Sequence, residues 1–199
     1  MLEANRISYR YNKNKWLFRH VTIQIQPGRI IGLYGLSGAG KSTLAKVLSG
    51  YLSPNEGEVK VDGTSYPIKG KHPVQLVWQH PEQAINPRWR MKKVLEETGE
   101  IPTDLLNVFS IKEDWLHRYP SELSGGELQR FCLARAFHSN TKYVIADEIT
   151  TMLDSITQAQ IWQGILKVVD DRSIGVLAIS HNEALLQKVC DEIIHFDQL

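Results

Sequence analysis

Apolar and polar residues alternate along the first part of the chain in a pattern that predicts short β-strands. Residues 6–11 and 21–26 alternate at every second position, and the second run ends at the turn residues Pro27 and Gly28. Residues 29–34 form a short apolar run that leads directly into a glycine-rich segment. Further strands are predicted at residues 58–61 and 74–78. The N-terminal runs are typical of antiparallel strands and indicate a small added sheet.

The helical signals lie between and after these strands. Apolar residues recur with helical spacing at residues 43–48, 126–137, 155–169 and 183–189. Short strands are predicted at residues 143–146, 175–179 and 192–196. Strands that alternate with helices favour a mostly parallel sheet covered on both faces, with ligands at the carboxyl ends of the strands. The predicted fold class is therefore α/β, with a mostly parallel core sheet and a smaller antiparallel N-terminal sheet.

The middle of the chain has a different character. Residues 80–121 are polar, carry short helical patterns and contain Pro81, Pro87, Pro102 and Pro120. This segment predicts a small, mainly helical insertion. The whole chain has 199 residues, which is the size of one domain with such an insertion.

Composition narrows the classes of function. The formal net charge of +1 lacks the overall positive charge that is typical of a nucleic-acid binder, although local basic patches remain possible. Cys132 and Cys190 are far apart, which argues against a disulfide framework and a zinc site, and we expect both to pack as small apolar residues. The N-terminus lacks the pattern of a signal peptide, and no stretch approaches the ~20 apolar residues of a membrane-spanning helix. We therefore expect any membrane attachment to involve a partner protein.

The glycine-rich segment after the third strand matches the full G-x-x-x-x-G-K-[ST] pattern. It consists of Gly35, Leu36, Ser37, Gly38, Ala39, Gly40, Lys41, Ser42 and Thr43. Glycines let the backbone approach phosphate oxygens, and the N–H groups at the start of a helix attract them. Lys41 adds a charge for the β- and γ-phosphates, and Ser42 offers a hydroxyl to Mg²⁺. The alternative is an ordinary glycine-rich turn, but the position between a strand and a helix favours a nucleotide site.

Asp147 and Glu148 end the strand predicted at residues 143–146. The first acid can hold the shell of a Mg²⁺ ion, and the second can polarise an attacking water. A solvated acidic turn would show the same local sequence. The phosphate-binding segment favours the catalytic interpretation.

The predicted helix at residues 126–137 is preceded by Ser124, Gly125, Gly126 and Glu127. Ser124 is placed to cap the helix, and the glycines expose N–H groups at its positive end, so the run can bind an anion. Ordinary capping, with Glu127 complementing the helix dipole, explains the same residues. The residues alone do not decide between the two.

In their order along the chain, these motifs resemble the ATP-binding subunits of ABC transporters, and the resemblance covers essentially the whole sequence. Residues 123–127 resemble the signature motif of that family. The resemblance implies that Glu148 is the general base and that Tyr11 stacks on adenine, with Tyr9 as the second candidate. It also implies that Gln79 senses Mg²⁺ and the transmembrane partner.

Two further residues match motifs of the family. Asp154 resembles the D-loop aspartate, and His181 resembles the switch histidine that contacts the γ-phosphate beside Lys41. Each residue also has a plainer interpretation. Asp154 is also a plain helix cap, and His181 is also a residue at the start of a helix. Tyr11 could equally be a solvent-facing strand residue, and Gln79 could be an ordinary loop residue. The order of all the motifs along the chain is what favours the family roles.

Short stretches resemble one branch of the family, the importers of dipeptides, oligopeptides and nickel. Residues 84–88 are similar to the LNPR stretch of those ATPases, and residues 126–130 and 154–160 are also similar. Glu127 departs from the glutamine of many members, and a carboxylate there should repel phosphates unless it points away or pairs with Arg130. Ile149 replaces a common proline, which is expected to soften the loop. The chain ends at Leu199, so we expect any site on the C-terminal tail of many peptide-importer ATPases to be absent.

The resemblance implies a set of partners and a location. A second ATPase subunit, either identical or related, would bind head to tail and complete the site for ATP and Mg²⁺. Transmembrane permease subunits would hold the pair at the cytoplasmic face of the membrane, with an extracytoplasmic solute-binding protein acting indirectly and no nucleic acid involved. The alternatives are a soluble ABC-type ATPase outside transport, a P-loop kinase or other transferase, and a partner subunit with a weakened site of its own.

Overall fold

The computed structural model describes residues 1–13, 15–66, 72–99 and 103–199, and its strands form two sheets within those ranges. The first sheet is antiparallel and contains β1 (Leu2–Tyr9), β2 (Phe18–Ile25), β4 (Glu56–Val61) and β5 (Thr64–Ser65) in the order β2-β1-β4-β5. The second contains β3 (Ile30–Tyr34), β6 (Val74–Val77), β7 (Tyr143–Asp147), β8 (Gly175–Ser180) and β9 (Glu192–His195). These strands are parallel and follow the order β6-β7-β8-β3-β9.

The helices among the described residues are α1 (Lys41–Leu48), α2 (Met91–Glu96), α3 (Thr103–Val108), α4 (Gly125–Ala136), α5 (Ser155–Arg172) and α6 (Glu183–Val189). They have eight residues or fewer except for α4 and α5. Single 3₁₀ turns lie at Pro81–Ala84, Glu113–His117, Pro120–Glu122 and Phe196–Gln198. Within the described residues, no helix is both long enough and apolar enough to cross a membrane.

The parallel sheet is covered on both faces, which explains why its central strands are apolar throughout. In β7, Tyr143 and Ile145 pack with α1 and the antiparallel sheet, whereas Val144 and Ala146 pack with α4 and α5 on the opposite face. Successive side chains of a strand point to opposite faces, so both sets must be apolar when both faces are buried. Helix α1 therefore lies between the two sheets.

The predicted α/β class, with a mostly parallel sheet and a smaller antiparallel N-terminal sheet, is confirmed. The boundaries differ from the prediction in places. Strand β1 begins at Leu2 rather than at residue 6, because its first residues pair with both β2 and β4. It ends at Tyr9, so Tyr11 lies beyond the strand. The prediction also missed β5 and extended β9 to Phe196, which belongs to a 3₁₀ turn.

The segment predicted as an insertion contains α2, α3 and 3₁₀ turns, which pack against α4 and α5. Pro102 lies outside the described residues. The two cysteines are free thiols, with Cys132 buried and Cys190 half-buried. Cys132 packs in the core as a small apolar side chain, and this burial raises the pKa of its thiol to about 11.

Candidate functional site

The parallel sheet brings predicted site residues to one edge, because its five strands run in the same direction. The chain leaves the carboxyl ends of β3, β6, β7 and β8 just before Gly35, Gln79, Glu148 and His181. Register pairs place Tyr34 beside Ser180, and Asp147 beside Ile179, at the ends of neighbouring strands. This edge is where ligands bind in open α/β sheets.

The glycine-rich loop between β3 and α1 is closed tightly on itself. Gly40 has φ +113°, and a Cβ atom there would lie 3.0 Å from Leu17 Cγ, so this position requires glycine. Lys41 begins α1, and its buried Nζ donates hydrogen bonds to the carbonyl oxygens of Gly35 at 2.8 Å and Leu36 at 2.9 Å. The loop therefore holds its cation inside the turn, next to the N–H groups at the start of the helix.

A cleft of about 370 Å³ opens above this loop. It is lined by Tyr11, Leu17, Ser37, Gly38, Gly40, Lys41, Ser42, Thr43, Gln79 and Glu148. The structure thus brings together most of the residues predicted to bind ATP. Gly35, Leu36 and Ala39 belong to the same loop but do not line the cleft, and the Leu36 side chain is exposed. Leu17 was not predicted, because no motif marks a single apolar residue in the segment between two strands.

Glu148 is held in an unusual backbone conformation at the centre of the site. Its φ is +51°, and its N–H donates to the carbonyl oxygen of Ile179 at 3.0 Å. Its carboxylate lies 3.8 Å from Lys41 Nζ and 3.1 Å from His181 Nδ1. A non-glycine residue with positive φ costs about 1–3 kcal/mol, and such strain is concentrated at functional sites. Three residues from different loops therefore converge on one point.

Asp147 supplies a buried carboxylate beside the loop. Its Oδ1 atom is the buried side-chain atom without a hydrogen-bond partner among the described residues. Burial raises the pKa of Asp147, and a hydrogen bond with the Ser42 side chain opposes that shift. A carboxylate oxygen with a free lone pair beside a hydroxyl is the kind of donor set that Mg²⁺ prefers. The residues present therefore fit this ion.

Gln79 is linked to the loop that carries Glu148 by a hydroxyl that the sequence did not reveal. Gln79 Nε2 donates to Thr151 Oγ1 at 3.4 Å, and the Thr151 hydroxyl donates to the Glu148 carbonyl oxygen at 2.9 Å. Thr151 was missed because it lies in an irregular turn without a recognisable spacing. The loops that follow β6 and β7 are coupled through it.

Tyr11 stands at the rim of the cleft. Its ring is 62% exposed and meets the ring of Tyr9 edge-on, with centroids 5.1 Å apart. The Tyr11 hydroxyl shares a hydrogen bond of 3.0 Å with Thr43 Oγ1. Tyr9 is buried, so Tyr11 is the tyrosine of this pair that a ligand in the cleft can reach.

The signature-like residues line a second cleft of about 460 Å³, separate from the first. Its lining includes Ser124, Gly125, Gly126, Glu127 and Asp154, with Trp115, Arg130, Met152, Leu153 and Thr157. Ser124 is exposed. Asp154 caps α5, because its Oδ1 accepts hydrogen bonds from the N–H groups of Ile156 and Thr157, both at 3.0 Å. The two clefts share no lining residue in the part of the chain that the structure describes. The second cleft is therefore separate from the phosphate-binding loop of its own chain.

Glu127 turns back onto the start of its own helix. The Ser124 N–H at 2.8 Å and the Ser124 hydroxyl at 3.0 Å donate to Glu127 Oε2, and Ser124 Oγ accepts from the Glu127 N–H at 3.3 Å. This reciprocal pair is a capping box, and Ser124 is the helix cap that its position predicted. The pairing considered for Arg130 is not seen, because its guanidinium donates to the Phe109 carbonyl oxygen and to Gln160. Ile149 is buried in the core.

Comparison with known proteins places these observations in a family. The family model described as ABC transporter matches residues 18–151, which is more than half of the chain. The chain is 30% identical over 211 residues to the nickel import system ATP-binding protein NikE of Staphylococcus aureus strain bovine RF122 / ET3-1, covering 98% of this chain and 85% of that protein. The NikE protein of strain N315 matches with the same identity and coverage.

Solved structures show the same fold. A dimeric bacterial ABC transporter cassette superposes with a TM-score of 0.84 at 23% identity, covering 98% of this chain and 94% of that one. The cbiO1 protein of Clostridium perfringens, part of an ABC transporter complex, superposes with a TM-score of 0.82 at 20% identity, covering 98% and 83%. These similarities confirm the predicted α/β fold.

Proposed function

Since the chain belongs to the ABC transporter family of ATPases, we propose that it is the subunit whose ATP hydrolysis powers an importer of nickel, other metal complexes or peptides. The observation that carries this proposal is the convergence of Lys41, Glu148 and His181 in the cleft above the phosphate-binding loop. A cation that neutralises phosphate charge and a carboxylate that orients water are groups that serve phosphate hydrolysis, and the imidazole lies beside the carboxylate. Nickel is favoured among the cargoes because the relatives at 30% identity are named as nickel import proteins.

In the proposed site, Lys41 binds the terminal phosphates of ATP by exchanging its bonds to the loop carbonyls for bonds to phosphate oxygens. Ser42, Asp147 and Gln79 would hold Mg²⁺, which neutralises phosphate charge when it is bound. Glu148 orients the attacking water and accepts its proton, and His181 holds the Glu148 carboxylate in position at 3.1 Å. Both Lys41 and His181 then stabilise the charge that develops on the transferred phosphoryl group.

The second cleft supports a role for a second ATPase subunit. Ser124, Gly125, Gly126 and Glu127 lie outside the cleft that contains Lys41, so they are free to contact a nucleotide held by another polypeptide. Asp154, in the same cleft, would contact the partner across the interface. Two copies of this chain, or this chain and a related one, would bind head to tail around ATP. Donors from both sides of the nucleotide would hold the pair closed.

The proposed assembly is a membrane transporter. Residues 1–199 would act as one ATPase domain, with the helical insertion at about 80–121 and the Gln79 loop transmitting closure to transmembrane permease subunits. The link from Gln79 through Thr151 to the Glu148 carbonyl group supports this route. The permease subunits would hold the chain at the cytoplasmic face of the membrane, and an extracytoplasmic solute-binding protein would deliver the cargo.

Replacing Glu148 by glutamine tests the proposal. The Glu148→Gln variant should bind ATP with an affinity close to that of the wild type, and its rate of ATP hydrolysis should fall by about a hundredfold or more, the usual share of a general base. Hydrolysis is measured as phosphate release by the purified chain, alone and with the permease subunits that co-purify with it. Asp170→Asn, which removes an exposed carboxylate from α5 outside both clefts and the insertion, is the matched control. A rate for Glu148→Gln equal to that of the control would remove Glu148 from the reaction.

A further inference from the structure

A hydrogen bond joins the segment after β1 of the antiparallel sheet to the first turn of α1 at the rim of the first cleft. The Tyr11 hydroxyl comes from the segment that follows β1, and Thr43 Oγ1 comes from the first turn of α1. The two oxygen atoms are 3.0 Å apart, and both residues line the cleft. The bond therefore spans the two parts of the fold between which a nucleotide would lie.

The backbone around Tyr11 is fixed by other contacts. The Arg10 N–H donates to Asn55 Oδ1 at 2.8 Å, and the Leu17 N–H donates to the Tyr9 carbonyl oxygen at 2.9 Å. The guanidinium of Arg10 donates to the Lys13 carbonyl oxygen at 3.0 Å. The Cα atom of Tyr11 is thus held in place, and the remaining freedom belongs to its side chain.

Packing restrains that side chain weakly. The Tyr11 ring is 62% exposed, and its recorded ring contact is the edge-on meeting with Tyr9. An exposed side chain samples several rotamers on a nanosecond timescale unless a second contact selects one. Thr43 supplies that contact at the far end of the ring. Its own hydroxyl is well placed for this, because Thr43 is only 8% exposed and a β-branched side chain on a helix has few rotamers.

We propose that Thr43 is a positioning residue that acts through Tyr11 and holds the ring over the cleft as the platform for the nucleotide base. The inference rests on the proposed function, since it takes the bound ligand to be ATP. Every nucleobase can stack on an aromatic ring, so the orientation of Tyr11 sets how much binding the base contributes. The phosphates bind to the loop independently of this orientation.

The proposal is tested by comparing ATP with inorganic tripolyphosphate, which has the phosphates but no base. Dissociation constants are measured for both ligands by calorimetry in the presence of Mg²⁺. For ATP, Tyr11→Phe and Thr43→Val should each raise the dissociation constant by about three- to tenfold, the value of one hydrogen bond. The double variant should be no weaker than the weaker single variant, because both changes remove the same bond. Thr43→Ser, which keeps the hydroxyl, should bind ATP nearly as well as the wild type.

For tripolyphosphate, Tyr11→Phe should bind as the wild type does. The matched control is Tyr51→Phe, because the Tyr51 ring is also 62% exposed and meets Trp78 edge-on outside the lining of this cleft. Its affinity for both ligands should not change.

Three results would overturn the inference. Unchanged ATP affinity in Tyr11→Phe would show that the hydroxyl does not hold the platform, and tighter ATP binding would show that the bond closes the site against nucleotide. An equal loss of ATP and tripolyphosphate affinity in Thr43→Val would show that Thr43 acts on the phosphates directly. A wild-type chain that binds neither ligand would instead refute the proposed function, and the inference with it.

Discussion

Glu127 concentrates a negative charge beside the hydroxyl that we propose a second subunit's nucleotide would meet. Its carboxylate accepts hydrogen bonds from both the N–H and the hydroxyl of Ser124, so it stabilises the start of α4. In a closed pair of subunits the same carboxylate would lie near phosphate groups. The repulsion between this carboxylate and the phosphates makes the free energy of association less favourable. One residue thus serves the stability of the chain and opposes closure of the pair.

Replacing Glu127 by glutamine should separate these effects. Glutamine also forms a capping box, so the free energy of unfolding should change by less than about 0.5 kcal/mol. Loss of the charge should strengthen ATP-dependent self-association by about tenfold, or 1.4 kcal/mol. Sedimentation of Glu127→Gln in a Glu148→Gln background measures this association.

The control for this variant is Glu122→Gln. The Glu122 carboxylate accepts a hydrogen bond from the Tyr119 N–H at 2.6 Å, so it caps a short 3₁₀ turn in a similar way, but it does not contact Ser124. Its association should change by no more than about twofold. Equal effects of the two substitutions would mean that overall charge, rather than the position of Glu127, controls association.

The sequence predicted side-chain contacts between residues close together in the chain. It could not predict contacts between residues of distant elements. The cap formed by Ser124 follows from residues three positions apart, and it is present. The partners of Arg130 could not be predicted, because Phe109, which follows α3, and Gln160 of α5 reach it only after those elements pack. The bond between Tyr11 and Thr43 was hidden for the same reason.

At the scale of elements, the antiparallel sheet depends on one close approach between β1 and β4. Gly57 has φ +79°, and a Cβ atom there would lie 2.5 Å from the carbonyl oxygens of Asn5 and Arg6. The pairing of β1 with β4 shifts its register between Asn5 and Ser8, next to this contact. A side chain at Gly57 would therefore push apart the strands that carry the segment with Tyr11.

Replacing Gly57 by alanine should lower the free energy of unfolding by about 3 kcal/mol, because it adds a backbone clash to an unfavourable φ. Urea unfolding, followed by circular dichroism, measures the loss. Gly63→Ala is the matched control, since Gly63 also has positive φ, +74°, but has no atom within 4 Å of a Cβ position. The control should lose only about 1–2 kcal/mol, the cost of the left-handed conformation. Equal losses would show that the contact with β1 is unimportant.

Most elements could be predicted from periodicity, and the misses have physical causes. Strand β1 is longer than predicted because β2 and β4 pair with it from both sides, which no local pattern reveals. Strand β5 was missed because it contains only Thr64 and Ser65. Its signal was present, since Asp62 and Gly63 form the kind of two-residue turn that joins hairpin strands, and both have positive φ.

At the scale of the whole molecule, charge is distributed unevenly. No Asp or Glu occurs between Glu3 and Glu56, whereas the same segment contains Arg6, Arg10, Lys13, Lys15, Arg19, Arg29, Lys41 and Lys46. The phosphate-binding loop lies within this segment. The ring of Trp16 lies under the guanidinium groups of Arg10 at 4.3 Å and Arg19 at 5.2 Å, which keeps part of this charge together near Tyr11. The net charge of +1 conceals the asymmetry, because it averages this segment with an acidic remainder.

This asymmetry should accelerate the binding of ATP, which is an anion. Replacing both Lys13 and Lys15 by glutamine should lower the association rate constant roughly two- to fivefold at low ionic strength and leave the dissociation rate constant unchanged. The difference should shrink at about 0.5 M salt, where exposed charges are screened. Stopped-flow measurements with a fluorescent ATP analogue provide both constants.

The control is Lys167→Gln, which removes an exposed charge from α5, outside the basic segment. Its association rate constant should stay close to that of the wild type. A change confined to the dissociation rate constant of the double variant would mean that Lys13 and Lys15 touch the bound nucleotide instead of attracting it from a distance.

Helix α1 has one end at the phosphate-binding loop and its middle wedged between both sheets. Leu44 and Leu48 pack with the antiparallel sheet on one side and with Ile145 and Ile179 of the parallel sheet on the other. A ligand that binds to the first turn of this helix therefore stabilises both sheets against unfolding. Ligand binding to the native state raises its resistance to unfolding by mass action. Heat denaturation of the occupied protein is accordingly expected to be a single cooperative event, with neither layer coming apart ahead of the other.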